Sequence, residues 1–359
     1  MITEEYREYL KETSGPVSAA IADAFRARYA PPDPLWPVLA HFLDQRIGRL
    51  LQKPSLARAA YEAAGGEDWV SIVPACAALE VLNISSYQAN AAFDHKLGIL
   101  STAEKDSQFI AAMISREISG SLLNGLKGFS QATVNVLLSH ISTANRSIYE
   151  AQHLDLNVLN LEHLHRYESF EEYFRVYRTR CLLGSGVINS ISALSGALLA
   201  GADTEVQAAF GRFGEHFGVG LQVINDLGDC APLEPASKVF RAFQDQFSDF
   251  RNRRLTLPIY HLLSSPNFSR QAEFDLMVQD PGPARNLEGV LPRLLLEAGT
   301  FEFVCQVARN EMKLARQALA RLGEGNRGTR ILQTMTAMAE SNKYFAAFRK
   351  ILTRSEVAL

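Results

Sequence analysis

Apolar residues recur along this chain at steps of three and four from one end to the other. No segment sustains the period-two alternation of a half-buried strand. The pattern predicts helices throughout. Breaks fall at Pro31-Pro32-Asp33-Pro34, Gly65-Gly66, Gly125 to Gly128, Asp203, Pro232 to Pro235, Pro266, Pro281 to Pro283 and Gly323 to Gly328. Helices of roughly ten to thirty residues fit between them. No shift of composition and no fixed repeat divides the chain, so residues 1–359 read as one all-α domain, a helical bundle.

Two helices depart from a plain inside–outside pattern. Glu80, Asn83, Tyr87, Asn90 and Asp94 follow one another at steps of three, four, three and four, and so share a helix face. The opposite face is Leu, Val, Ile and Ala. Amides and a phenol in place of Lys and Glu suit a wet cavity better than an open surface. In FGVGLQVINDLGD, Phe217 to Asp229, the residues Gln222, Asn225, Asp226 and Asp229 also share a face. Two carboxylates on an apolar helix are costly to bury alone. A hard cation such as Mg²⁺, which takes oxygen ligands and shares them with phosphate, would offset that cost. An acidic helix end facing water is the simpler alternative. Shortly afterwards Arg251, Arg253 and Arg254 precede Thr256-Leu257-Pro258 and a new apolar helix, and arginines beside a helix start suit a phosphate.

Composition narrows the classes. The 359 residues carry a net charge of −3, so no excess of positive charge points to nucleic acid. With 47% hydrophobic residues a large core is available. Cys76, Cys181, Cys230 and Cys305 lie far apart and read as reduced thiols of a cytoplasmic protein. The charged start MITEEYREYLKETSG does not read as a signal peptide. Cys181 to Ala202 is uncharged over about one membrane thickness, but its Ser, Gly and Asn favour a buried core helix, and no transmembrane segment is expected. No histidine builds a site: His163 and His165 fall on different helix faces, and His95 is the only one near the polar stripes.

The ordered set of motifs resembles the trans-isoprenyl diphosphate synthase, or polyprenyl synthetase, family over about residues 48–322. LQKPSLARAAYEAAGGED is similar to the family's Gly-Lys-Arg-x-Arg-Pro helix, with Lys53-Pro54 on Arg-Pro and Gly48-Arg49 at its loosely kept start. The first aspartate-rich motif, DDxxD, falls on Asn90 to Asp94, and YEAQHLDL places Gln152 and Asp155 on the family's Gln-x-x-Asp. GVGLQVINDLGD resembles the second aspartate-rich motif, DFRNRRLTLP puts Arg254 on the lysine before Thr-Leu-Pro, and LEAGTFEFVCQVARNEMKLARQAL resembles the C-terminal helix pair. Departures are plain. The first motif keeps only Asp94, the Arg-Arg-Gly after it is absent, Gly184-Ser185-Gly186 stands where Lys-Thr-Gly is expected, and Asn225 opens the second motif.

The resemblance implies a Mg²⁺-dependent isoprenoid enzyme acting on an allylic prenyl diphosphate, a divergent prenyltransferase that works as a homodimer or a heterodimer with a related synthase. Asp94, Asn225, Asp226 and Asp229 would hold metal. Arg254, Lys238, Arg49, Lys53, Arg180 and Gln152 would hold diphosphate. Gln222, with Asn225 and Asp226, would act on the reacting end, and Ser85, Ser86, Tyr87 and Asn90 would line the pocket for the prenyl tail. Asn225-Asp226-x-x-Asp229 also resembles the metal motif of class I terpene cyclases, whose diphosphate-sensing arginine would be Arg178 or Arg180. Leu233 stands where that motif has a glutamate, with Glu234 one residue late. A third reading is a catalytically inactive partner subunit of a prenyl diphosphate synthase.

Overall fold

The computed structural model describes residues 3–93, 102–231, 247–266, 268, 270–279, 284–320 and 325–340. Fifteen α-helices run through them. The first six are α1 (Glu4–Arg26), α2 (Trp36–Arg46), α3 (Gln52–Ala63), α4 (Val73–Phe93), α5 (Thr102–Leu122) and α6 (Gln131–Asn157). Next come α7 (Phe170–Cys181), α8 (Val187–Leu199), α9 (Thr204–Asp229), α10 (Ser248–Arg251) and α11 (Leu257–Ser264). The last four are α12 (Gln271–Gln279), α13 (Ala284–Glu297), α14 (Thr300–Ala318) and α15 (Arg327–Glu340). Among the described residues the extended pairing is one antiparallel bridge, Asn160 with Arg254.

The helix starts follow from the sequence. Thr3, Ser130, Ser169 and Asp203 each accept a backbone N–H from the first turn of α1, α6, α7 and α9. Glu171 and Glu172 add negative charge at the start of α7, and Arg178 and Arg180 add positive charge at its end, both favourable to the helix dipole.

The core has two large parts. One gathers α1, α2, α4, α5 and α6 around Phe25, Leu39, Leu79, Leu82 and Leu137. The other gathers α7, α9, α11, α13 and α14 around Tyr173, Phe213, Phe217, Leu294 and Met312. The apolar stretches Trp69–Phe93 and Phe170–Leu199 are long enough to cross a membrane, but 72% and 56% of their apolar windows are buried inside the fold, as core helices would be.

Between α7 and α8 the chain makes a π-helical turn, Leu182–Gly186. Small residues allow it. A side chain at Gly218 of α9 would collide with the Ser185 carbonyl, and one at Gly214 with that of Asn189, so α8 and α9 touch almost backbone to backbone. Asn189 donates to the Ser185 carbonyl at 2.7 Å and accepts from Lys53 Nζ of α3 at 2.8 Å. Three helices are thereby tied to the turn just beyond Arg180.

Candidate active site

Four ionised groups meet where α6, α7, α9 and the segment after α10 converge. Arg180, in the last turn of α7, donates from Nε to Asp155 Oδ1 of α6 at 2.8 Å, and its NH2 lies 2.7 Å from the same oxygen. Its NH1 reaches both oxygens of Asp226 on α9, at 3.3 and 3.4 Å. Arg254 donates to the Asp155 carbonyl at 2.8 Å, with Nε 3.5 Å from Asp155 Oδ2. Asp226 is wholly buried, yet it is well satisfied: Tyr177 donates to Oδ2 at 2.7 Å and Gln222 Nε2 donates to Oδ1 at 2.7 Å. Burial works against the charge on Arg180, and the Asp155 and Asp226 carboxylates outweigh it, holding its pKa well above the ordinary arginine value. Burial first, then the charge on Asp226, push the Tyr177 phenol far up, so it stays a donor. Burial likewise raises the neighbouring Cys181 thiol to about 12, which leaves it inert.

The local geometry explains why these groups converge. Gln222 and Asp226 are four residues apart and bond along one face of α9. Tyr177 and Arg180 are three apart and present phenol and guanidinium to the same carboxylate. The bridge segment fixes Arg254: Leu161 N donates to the Arg253 carbonyl and Leu255 N to the Leu159 carbonyl, each at 2.9 Å.

These residues do not fit a metal ion at the α9 carboxylates. Asp226 Oδ2 accepts from Tyr177 and Oδ1 from Gln222, and Arg180 NH1 lies against both oxygens. Asp229 accepts from Ser248 N at 3.1 Å, Ser248 Oγ at 3.2 Å and Asp249 N at 3.0 Å, and so caps the start of α10. Among the described residues no group of three or more His, Cys, Asp or Glu side chains is placed to hold a metal. The two α9 carboxylates expected to hold metal, Asp226 and Asp229, are thus both bonded to protein donors in this structure. The alternative of an acidic helix end facing water fails as well, since Asp226 is buried.

The other expected site residues scatter more. Lys53 and Arg49 are half-buried, Gln152 is buried on α6, and Asn225 is half-buried beside Asp226. Ser85 and Ser86 turn their hydroxyls onto the Leu82 and Asn83 carbonyls of their own helix at 2.7 Å. The expected single polar face of α4 divides, for Glu80 and Asn83 are buried whereas Tyr87 is 46% exposed. Asn90 is half-buried near the end of α4. Asp94, His95, Lys238, Leu233 and Glu234 lie outside the described residues. Of the two candidate diphosphate-sensing arginines, Arg180 joins the cluster and Arg178 turns away to Glu311 of α14, at 2.9 Å.

Sequence reasoning missed Tyr177 and the second charge cluster. Glu311 sits between Arg178 and His216, whose Nδ1 is 2.7 Å away. The signal for Tyr177 was its place one helical turn before Arg180, which only the partner helix makes meaningful. A groove of about 560 Å³ between α9 and α14, lined in part by Arg212, His216 and Leu314, holds none of the residues of the Arg180 cluster.

Comparison with known proteins agrees with the fold. Residues 93–287 match the sequence model of the family described as polyprenyl synthetase. The chain is 23% identical over 330 residues to a geranylgeranyl diphosphate synthase of Methanosarcina mazei, covering 90% of this chain and 94% of that protein. Among solved structures, it is similar to a geranylgeranyl pyrophosphate synthetase from Pyrococcus horikoshii, with TM-score 0.74, 16% identity, and coverage of 94% of this chain and 100% of that one. It is equally similar to a polyprenyl synthase from Caulobacter crescentus complexed with calcium and isoprenyl diphosphate, with TM-score 0.74, 18% identity, and coverage of 93% and 97%. At these identities the structural likeness shows a shared all-α fold.

Proposed function

The chain belongs to the polyprenyl synthetase family, and on that premise we propose that it is a prenyltransferase acting on an allylic prenyl diphosphate. The observation that carries the reading is the junction at Arg180. It joins Asp155, from the Gln-x-x-Asp helix, to Asp226, from the second aspartate-rich motif, with Arg254 of the third motif alongside. Three stretches singled out separately in the sequence thus meet at one point.

In this reading Lys53 faces the diphosphate with Arg49 and Gln152, Arg180 adds its positive charge from the wall behind, and Gln222 and Asn225 orient it; Lys238 belongs to the proposal from its place in the sequence. Asp155 and Asp226 keep Arg180 in place, with Tyr177 bonded to Asp226 and Arg254 to Asp155. When the allylic C–O bond breaks, its electron pair leaves with the diphosphate, and fixed cations stabilise that charge without reorganising. The allylic cation is then attacked by the double bond of an acceptor such as isopentenyl diphosphate, which loses a proton. Members of the family are generally divalent-metal dependent. Mg²⁺ commonly binds through substrate phosphates with one or two carboxylates. It enters the proposal as the companion of the diphosphate, not as an ion held by Asp226 or Asp229. Asp94 belongs to the proposal from its place in the sequence.

The relatives described above are diphosphate or polyprenyl synthases, so neither the cyclase nor the inactive-partner reading is carried forward. We also propose a dimer and a cytoplasmic location. An apolar stripe of Phe109, Ile110 and Met113 on α5, each 38–50% exposed, supports the dimer.

The test is product analysis. The protein is incubated with geranyl, farnesyl or geranylgeranyl diphosphate, each with isopentenyl diphosphate and Mg²⁺. Release of diphosphate with a longer prenyl product supports the proposal. Absence of turnover with all three starters overturns it.

A further inference from the structure

We infer that Arg180 is a resident cation standing where a divalent metal would otherwise neutralise the facing carboxylates of α6 and α9. This half of the site is then assembled and charge-balanced without Mg²⁺. The inference does not depend on the substrate, because it concerns the ligand-free protein. It begins with the imbalance that two carboxylates on neighbouring helices create. Asp155 and Asp226 are both buried, and unpaired carboxylates in such a place are costly.

A divalent ion is one solution, since it gathers oxygens from several helices at once. A guanidinium is another. It is planar, permanently charged, and carries five donors in a fixed fork. Arg180 uses that fork to span the gap, with Nε and NH2 on Asp155 and NH1 on Asp226. Arg254 completes the balance of two positive against two negative groups. The neutral donors of Tyr177 and Gln222 each take one oxygen of Asp226, so both oxygens of that carboxylate are engaged by the protein. The side chain of Arg180 is only 12% exposed, which sets it in the wall between the helices. A Mg²⁺ ion would reach Asp226 only by displacing one of these donors.

The experiment measures Mn²⁺, as a spectroscopic stand-in for Mg²⁺, on the full-length, ligand-free chain. Bound metal is read by electron paramagnetic resonance, and thermal midpoint is followed with Mn²⁺, Mg²⁺ or a chelator. In the native protein the midpoint should not move between metal and chelator, and Asp226→Asn should leave any Mn²⁺ binding unchanged. Arg180→Met removes the cation and leaves both carboxylates. Its midpoint should fall in chelator and rise by several degrees with Mn²⁺ or Mg²⁺, and the added Asp226→Asn change should abolish that rise. Arg180→Lys, which keeps a positive charge, should remain insensitive to metal. The inference is overturned if native protein binds Mn²⁺ and Asp226→Asn removes it. It is also overturned if Arg180→Met is folded and indifferent to metal. Should Arg180→Met fail to fold in any condition, the native, Asp226→Asn and Arg180→Lys proteins still decide the question. None of these readouts requires turnover, so a failed activity assay leaves this test intact.

Discussion

Helices α4 and α9 were both expected to carry a line of polar residues on an apolar body, and they use it differently. On α9 each carboxylate ties its helix to another element: Asp226 to α7 through Tyr177 and Arg180, Asp229 to α10 through Ser248 and Asp249. On α4 three side-chain bonds are local: Asn83 of the polar line donates to Glu80 at 3.4 Å, and the neighbouring Ser85 and Ser86 bond back onto α4 carbonyls. A carboxylate that bridges helices cannot be removed without leaving a buried partner charge, whereas a polar residue bonded locally can be replaced at little cost. The difference explains how the α4 end of the site can lack carboxylates at Asn90 and Ala91 while α9 retains its pair: on α9 they also hold the fold together.

The comparison breaks most visibly at Asp226. Asp226→Ala strands Arg180 and Tyr177 in the interior and should destabilise the protein by about 3–5 kcal/mol in urea unfolding. Asn90→Ala on α4, half-exposed, should stay within about 0.5 kcal/mol. Equal losses would erase the distinction between the two helices. Next in size is the close approach of α9 to the π-turn. Gly218→Ala forces a methyl group onto the Ser185 carbonyl and should cost about 1–3 kcal/mol, because backbone cannot move aside as a side chain can. Gly120→Ala on α5 has room against Leu138 and should be neutral or stabilising by about 0.5–1 kcal/mol. Thermal denaturation of the pair checks both signs.

Smaller effects come from the ends and outer side of α9. Asp229→Ala removes the cap of α10 and should cost about 1–2 kcal/mol by urea unfolding. At Glu311, burial raises the carboxyl pKa, but hydrogen bonds from His216 and Arg178 outweigh it and place the folded value below the ordinary 4.5. A lowered folded pKa means that the unfolded chain binds the proton more readily. The stabilisation is present above pH 4.5 and is lost as pH falls through the folded value. Glu311→Gln should flatten that acid limb of the stability profile, and an unchanged limb would remove the cluster from the account.

Much of this was legible in the sequence because it depends on local pattern. The helical period, the breaks at Pro and Gly and the break at Asp203 are written into short stretches, and so is the grouping of Gln222 with Asp226. The partner of each charge was not legible. Arg178 and Arg180 are two residues apart and chemically identical, yet one meets Glu311 on α14 and the other meets Asp226 on α9. Only the packing of three helices assigns them. The protein partners of Asp226 and Asp229 were hidden for the same reason. Carboxylate spacing announces a polar cluster, but whether a cation or a set of protein donors satisfies it depends on residues 19 to 49 positions away, such as Ser248, Arg180 and Tyr177. The division of the α4 face has a related cause: a helix inside a bundle has neighbours on several sides, so one polar line can begin buried at Glu80 and reach solvent at Tyr87.

The measurement that tests the central claim most directly is diphosphate release from farnesyl diphosphate with isopentenyl diphosphate and Mg²⁺, by the native chain and by Arg180→Lys and Arg180→Met. The account predicts turnover to a longer prenyl diphosphate by the native protein and retention of part of it by Arg180→Lys. Arg180→Met should lose about 10²–10³-fold, as when a fixed donor to a developing anion is removed. Native-level turnover by folded Arg180→Met would contradict the placement of the diphosphate at this junction, and no diphosphate release by the native chain would contradict the prenyltransferase reading itself.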